Sequence, residues 1–204
     1  MRYIYYNTID STQKFLVERI KNSSLKPPVC VWSEHQTGGI GSRGNGWYGV
    51  RGNLFFSFAV NLCEYSFVPL QSISIYFGWL FKKTLNSFNS RVLMKWPNDL
   101  YIVDQQPLKI GGVMSNVLKE TLICGIGLNT VFKPEGFGRL DIDIKNDKIL
   151  KSFFTLIEKK PSWESVIGEF KEEFEKTKGI FNINGVLLDD GSLEKNQKRI
   201  YSRR

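Results

Sequence analysis

The sequence predicts an α+β fold, a mostly antiparallel sheet with helices before and after it in the chain, on three observations. Four β-prone segments separated by short turns follow one another between residues 91 and 128, as in a meander. Apolar residues recur at helical spacing on both sides of that stretch, in 70–86 and in 147–178. The strand that closes on Gly125-Ile126-Gly127 lacks the βαβ context of a dinucleotide-binding fold.

Each element has a local reason. Tyr3 to Ile9 is β-branched and aromatic and reads as a strand. Asp10-Ser11-Thr12-Gln13 supplies side-chain oxygens for the free N–H groups of a helix, and Asp10 and Gln13 have capping-box spacing. Phe15, Leu16 and Ile20 give that helix an apolar face until Asn22-Ser23-Ser24 stops it. Val29 to Ser33 is a short buried strand. From Gln36 to Gly52 there are seven glycines, the cations Arg43 and Arg51, and no run of core residues. This loop joins two core strands, because Asn53 to Leu62 is again strongly β-prone, and such loops commonly mount ligand contacts. After Pro69, residues Leu70 to Asn86 form a core helix through Ile73, Tyr76, Phe77 and Leu80. Strands follow at Arg91 to Trp96, Leu100 to Val103, Leu108 to Leu118 and Thr121 to Leu128. Two amphipathic helices, Asp147 to Glu158 and Trp163 to Lys178, act as scaffold. Beyond Phe181, Asn184-Gly185 and Asp190-Gly191 are hairpin signals, so 181–204 is either a β-ribbon or a tail, and the main domain is 1–180.

Composition bounds the function. A chain of 204 residues, 42% hydrophobic and 24% charged, is a folded globule. No apolar run reaches the roughly 18 residues of a membrane helix, and the start MRYIYYNTID has no signal-peptide architecture, which predicts a cytoplasmic protein without a membrane partner. Cys30, Cys63 and Cys124 form neither a disulfide framework nor a zinc pattern. The net charge of +8 allows an anionic partner, yet no helix-turn-helix, zinc-finger or RNP signature accompanies it, so no sequence-specific DNA binding is expected. His35 is the only histidine, which leaves no choice of Ser/His/Asp or Cys/His arrangements.

Three segments carry candidate chemistry. Lys95-Trp96-Pro97-Asn98-Asp99 sets a lysine at a strand end before a polar turn; on turn chemistry alone it is an ordinary turn. Lys109 stands between Leu108 and Ile110 in an apolar strand, next to Gly111-Gly112, and needs solvent or an anion at its tip. Gly125-Ile126-Gly127-Leu128-Asn129 ends a hydrophobic strand.

Together with Asp10 to Thr12, the glycine-rich loop from Gln36 through Trp47 and Gly52-Asn53-Leu54, these segments resemble the catalytic domain of biotin protein ligases over about residues 3 to 130. The resemblance implies a mixed sheet with helices packed on one side, of the class II synthetase-like kind shared by biotin and lipoate ligases. It implies a monofunctional type without the DNA-binding domain, and residues 181–204 as a remnant of the family's C-terminal domain. The implied reaction has two steps: biotin and ATP, with Mg²⁺, give biotinyl-5′-AMP and pyrophosphate, and a lysine of a biotin carboxyl carrier protein then takes the biotinyl group. A homodimer is one assembly compatible with this.

Residue by residue, the resemblance places Lys109, Arg43, Lys95 and Asp99 in catalysis. Two anions must meet when a carboxylate attacks the α-phosphate, so cations are needed there, and the acceptor amine must lose a proton, for which Asp99 is the candidate. Ser11, Thr12, Gln13, Gln36, Gly39, Gly41, Ser42, Lys109, Gly112 and Gly127 match biotin-binding positions. Arg43, Trp47, Asn53, Lys95, Asn98, Gly125 and Asn129 match ATP and adenylate positions. The ligands of Mg²⁺ are not assigned. Where the family's loop carries further arginines this chain has Ile40, Ser42 and Asn45, which leaves Arg43 and Arg51 for the adenylate phosphate and predicts a weaker grip on it. The competing readings are a lipoate-type ligase of the same fold, a non-catalytic sensor of biotin or its adenylate, and a nucleic-acid-binding module. Retention of Lys95, Asp99 and Lys109 favours catalysis over sensing.

Overall fold

In a computed structural model, which describes residues 1–41 and 45–202, the chain folds around a seven-stranded sheet. The strands are β1 (Arg2–Tyr6), β2 (Val29–Ser33), β5 (Leu54–Asn61), β6 (Leu93–Lys95), β7 (Asp99–Val103), β8 (Pro107–Leu118) and β9 (Thr121–Leu128), in the order β1-β2-β5-β9-β8-β7-β6. Only β1 and β2 run parallel; every other neighbouring pair is antiparallel, so the sheet is mixed and mostly antiparallel as expected. A small hairpin of β3 (Gly39–Ile40) and β4 (Gly46–Trp47) rises from the glycine-rich loop.

The period-two alternation of the strands separates two faces. Phe56 and Phe58 of β5 and Cys124 and Ile126 of β9 meet α2 (Ile73–Asn86), α3 (Asn146–Glu158) and α4 (Trp163–Thr177) in the main core. An edge-to-face aromatic cluster, in which Phe58 meets Phe77 at 5.0 Å and Phe81 meets Phe153 at 5.1 Å, fills that layer. The alternate residues Ala59 and Ile123 face the other way and pack on Leu16 of α1 (Thr12–Lys21). Three helices therefore share one side, and α1 lies opposite them. The expected one-sided arrangement thus fails for α1, whose short apolar stripe packs mainly on β2, β5 and β9 and reaches β8 only near Asn116 and Leu118, which leaves room on that face beside its N-terminus.

The N-cap of α1 is Ser11, which accepts from Lys14 N at 3.4 Å; Asp10 pairs instead with the Lys14 ammonium at 3.2 Å. The capping box expected from Asp10 and Gln13 does not form, and the Gln13 side chain is free for other contacts. The C-terminal stretch is a three-stranded ribbon, β10 (Val186–Leu187), β11 (Leu193–Lys195) and β12 (Lys198–Ile200). Asn196 and Gln197, both at positive φ (50° and 59°), make its two-residue hairpin turn. Trp96 and Trp163 tie the ribbon down by donating to the carbonyls of Gly191 (3.0 Å) and Asp189 (2.8 Å).

Candidate active site

The open part of the α1 face is a cavity of about 260 Å³. Its floor is the β8–β9 ladder, where Gly112 pairs with Gly127 and Met114 with Gly125. Glycine is needed there because the Trp47 indole lies flat against the strand: a Cβ on Gly127 would come within 2.8 Å of Trp47 Cε2, well inside carbon–carbon contact distance. Trp47 is delivered by the β3–β4 hairpin, whose Gly41 N–H donates to the Asn45 carbonyl at 2.7 Å. Ile40, Gly41, Asn45 and Gly46 of that hairpin form one wall. Phe137 closes the rim with Tyr48 edge-on to it at 6.1 Å.

The cavity has two chemically different ends. At one, Lys109 Nζ sits 2.6 Å from Asp99 Oδ1 and 5.6 Å from the Trp47 ring. Strand β7 begins at Asp99, opposite Gly112, which puts the carboxylate directly over the glycine floor. Asn98 holds that turn to β8 by accepting from Val113 N at 2.9 Å through its carbonyl and donating its side-chain amide to the Val113 carbonyl. Among the described residues Lys109 is the one cation that lines the cavity.

At the other end the α1 N-terminus brings a polar cluster. Gln36 Oε1 accepts from Thr12 N at 2.7 Å and from Thr12 Oγ1 at 3.1 Å, and Thr12 Oγ1 meets Ser57 Oγ at 3.0 Å. Gln13 donates Nε2 to Asn116 Oδ1 at 3.0 Å. Two buried polar side-chain atoms among the described residues lack a hydrogen-bond partner, Gln13 Oε1 and Trp47 Nε1, and both belong to residues that line this cavity. Buried orphans of this kind are costly unless something else satisfies them.

The structure thus gathers Ser11, Thr12, Gln13, Gln36, Gly41, Trp47, Asn98, Asp99, Lys109, Gly112, Gly125 and Gly127 around one space. Other expected residues stand elsewhere. Gly39 supports the hairpin base, where a Cβ would be 2.8 Å from the Trp47 carbonyl, and does not line the cavity. Lys95 is outside the lining because it sits on the edge strand β6, one strand removed from β8, with its ammonium over the rings of Tyr101 (5.4 Å) and Phe181 (5.8 Å). Asn53 and Asn129 do not face the cavity either. Asn53 accepts from the N–H groups of Val131 and Phe132 (3.0 Å each) and donates to the Phe132 carbonyl (2.8 Å) and to Asn129 Oδ1 (3.3 Å). Asn129 spends its amide on the Gly138 carbonyl at 3.0 Å. The pair braces the segment that carries Phe137. Gly125 lies beneath Gln13 and Ser57, so it belongs to the polar end and not with the residues expected at the nucleotide. Arg51 donates to Asn7 and Thr8, away from the cavity, while Ser42 and Arg43 fall outside the described residues.

Ser57, Met114, Asn45 and Phe137 were not among the expected site residues. Ser57 had a readable signal: it is the lone polar residue inside the buried run Leu54 to Val60, and it is fully buried.

A mixed sheet with a glycine-floored cavity beside the first helix is an architecture with known relatives. The chain belongs to the biotin/lipoate A/B protein ligase family, whose sequence profile matches residues 5–129. It is 30% identical over 132 residues to the bifunctional ligase/repressor BirA of Escherichia coli, covering 61% of this chain and 39% of that protein. It is 28% identical over 137 residues to the biotin–acetyl-CoA-carboxylase ligase of Mycobacterium tuberculosis, covering 61% of this chain and 48% of that one. The chain thus spans less than half the length of these curated relatives. Among solved structures, the biotin acetyl coenzyme A carboxylase synthetase of Helicobacter pylori with bound biotinylated ATP superposes with a TM-score of 0.88 at 34% identity, over 98% of this chain and 99% of that one. The biotin protein ligase of Aquifex aeolicus in complex with biotin and ATP shares the fold, with a TM-score of 0.75 at 23% identity over 98% and 94% of the two chains.

Proposed function

We propose that the chain is an ATP-dependent biotin protein ligase, which forms biotinyl-5′-AMP and transfers the biotinyl group to a lysine of a biotin carboxyl carrier protein. The observation that carries this reading is the two-ended cavity. The rungs Met114–Gly125 and Gly112–Gly127 are about 7 Å apart along the strands, and they separate a polar cluster with an orphan acceptor from a cation. Biotin has the matching layout, a neutral cyclic urea at one end and a carboxylate on a flexible chain at the other.

In the first step a carboxylate oxygen of biotin attacks the α-phosphorus of ATP, and the bond to the pyrophosphate oxygen breaks. Lys109 offsets the repulsion between the two anions and the charge that accumulates as they meet. Trp47 and Phe137 give the purine apolar walls. Gln36, whose oxygen is already held by Thr12, has its amide N–H groups to offer to the urea carbonyl. In the second step the acceptor amine attacks the acyl carbonyl, AMP leaves, and the amine proton has a nearby acceptor in Asp99 once the acyl phosphate engages Lys109. Asp99 is the one carboxylate lining the cavity among the described residues. Asp99 would be the protein carboxylate available to Mg²⁺ entering with the triphosphate, and the ion would supply further neutralisation of the phosphate charge.

Exchange of labelled pyrophosphate into ATP tests the reading. Exchange that depends on biotin and not on lipoate is expected; exchange supported by lipoate alone would transfer the chain to the other branch of its family.

A further inference from the structure

Gln13 is 3% exposed, and its amide is held on one side only. Nε2 donates to Asn116 Oδ1 at 3.0 Å, and Oε1 has no partner. The oxygen points toward the cavity floor, where a Cβ on Gly125 would lie 2.5 Å from it, so glycine at 125 is what leaves the oxygen room. Asn116 itself is exposed on β8, beyond the Gly112 rung where pairing with β7 stops, and faces solvent apart from this contact. A primary amide can present either its oxygen or its N–H₂ group; with Asn116 presenting its own oxygen to Nε2, the Gln13 oxygen is the atom that faces in.

We propose that Asn116 is a positioning residue that turns the Gln13 amide oxygen into the cavity, where it accepts a hydrogen bond from a ring N–H of the ligand. The inference rests on the cavity being a biotin site: a cyclic urea carries two N–H donors, whereas a dithiolane ring carries none. It makes Gln13 and Asn116 a specificity device for the head of the substrate, separate from the Lys109 end that does the chemistry.

Asn116→Asp offers acceptors only and keeps the Gln13 oxygen inward. Asn116→Lys offers donors only and reverses it, so that an N–H₂ group meets the ligand N–H. Calorimetric titration with biotin should give a Kd for Asn116→Asp within about twofold of wild type, and one for Asn116→Lys raised about tenfold, the scale of one hydrogen bond lost. In a Gln13→Leu background Asn116→Lys should have no further effect. Because biotin is an anion, a plain charge effect at position 116 would order the two variants the other way, which separates positioning from electrostatics. Wild-type protein that fails to bind biotin would overturn the functional reading and this inference with it. Wild-type protein that binds biotin, with Asn116→Lys binding equally well or better, would overturn this inference alone.

Discussion

Replacing Lys109 by glutamine should separate chemistry from stability more sharply than any other single change in this chain. The Lys109–Asp99 pair is short, 2.6 Å, but both side chains keep about a quarter of their surface in water, 27% and 28%. A pair so placed contributes on the order of 1 kcal/mol or less to folding, because solvent screens it and ordering two side chains offsets part of the gain. For a domain of this size that corresponds to roughly 2–4 °C in Tm at most. The effect on adenylate formation is of another order. Losing one preorganised charge where negative charge accumulates costs about 10²–10³ in rate, roughly 3–4 kcal/mol. Biotin-dependent pyrophosphate release by Lys109→Gln should therefore fall at least about a hundredfold while calorimetry shows nearly unchanged unfolding. Asp99→Asn gives the internal contrast: it keeps the cation, so adenylate formation should drop less than about tenfold, whereas transfer from preformed adenylate to a carrier should drop further. Near-normal pyrophosphate release by Lys109→Gln would refute the reasoning. A loss of Tm beyond about 10 °C would show that the lysine is chiefly structural.

Two further outcomes follow from contacts around the cavity. Asn53→Ala removes the four hydrogen bonds that brace the Phe137 segment, and should raise the KM for ATP about tenfold while the biotin Kd stays within about twofold; equal losses for both ligands would mean that the brace supports the whole cavity. For Asp141, burial by itself would push the carboxyl up, but hydrogen bonds from the Ser90 hydroxyl and from the Arg91 backbone and guanidinium outweigh it and hold the group below its ordinary value. A depressed folded-state value means stability that is present above the unfolded pKa of about 3.9 and lost as pH falls through the folded one, so Asp141→Asn should flatten the acid limb of a Tm-against-pH curve, and an unchanged limb would contradict the assignment.

Much of the fold was legible because local pattern decides it. The apolar pattern marks β9 at its observed bounds, β8 to within a residue, and β5 and helices α3 and α4 to within one or two residues, since their apolar periods are long. Side-chain partners were not legible, because they depend on register between distant segments. Turn chemistry places Asp99 in the Pro97-Asn98-Asp99 turn, yet it opens β7 and pairs with Gly112, which is what brings it to Lys109. Lys95 lies four residues from Asp99 but ends one strand further from the cavity, over Tyr101. Asn53 and Asn129, 76 residues apart, find each other only in the folded sheet. Asn116 gave no signal, since an exposed asparagine on a strand looks like any surface residue until its partner is known.

The direct measurement of transfer is mass spectrometry of a biotin carboxyl carrier domain after incubation with the full chain, ATP, Mg²⁺ and an equimolar mixture of biotin and lipoate. One biotinyl group on a single carrier lysine is expected, dependent on ATP and abolished by Lys109→Gln. An unmodified carrier despite pyrophosphate release, or a carrier bearing a lipoyl group, would contradict the proposed function.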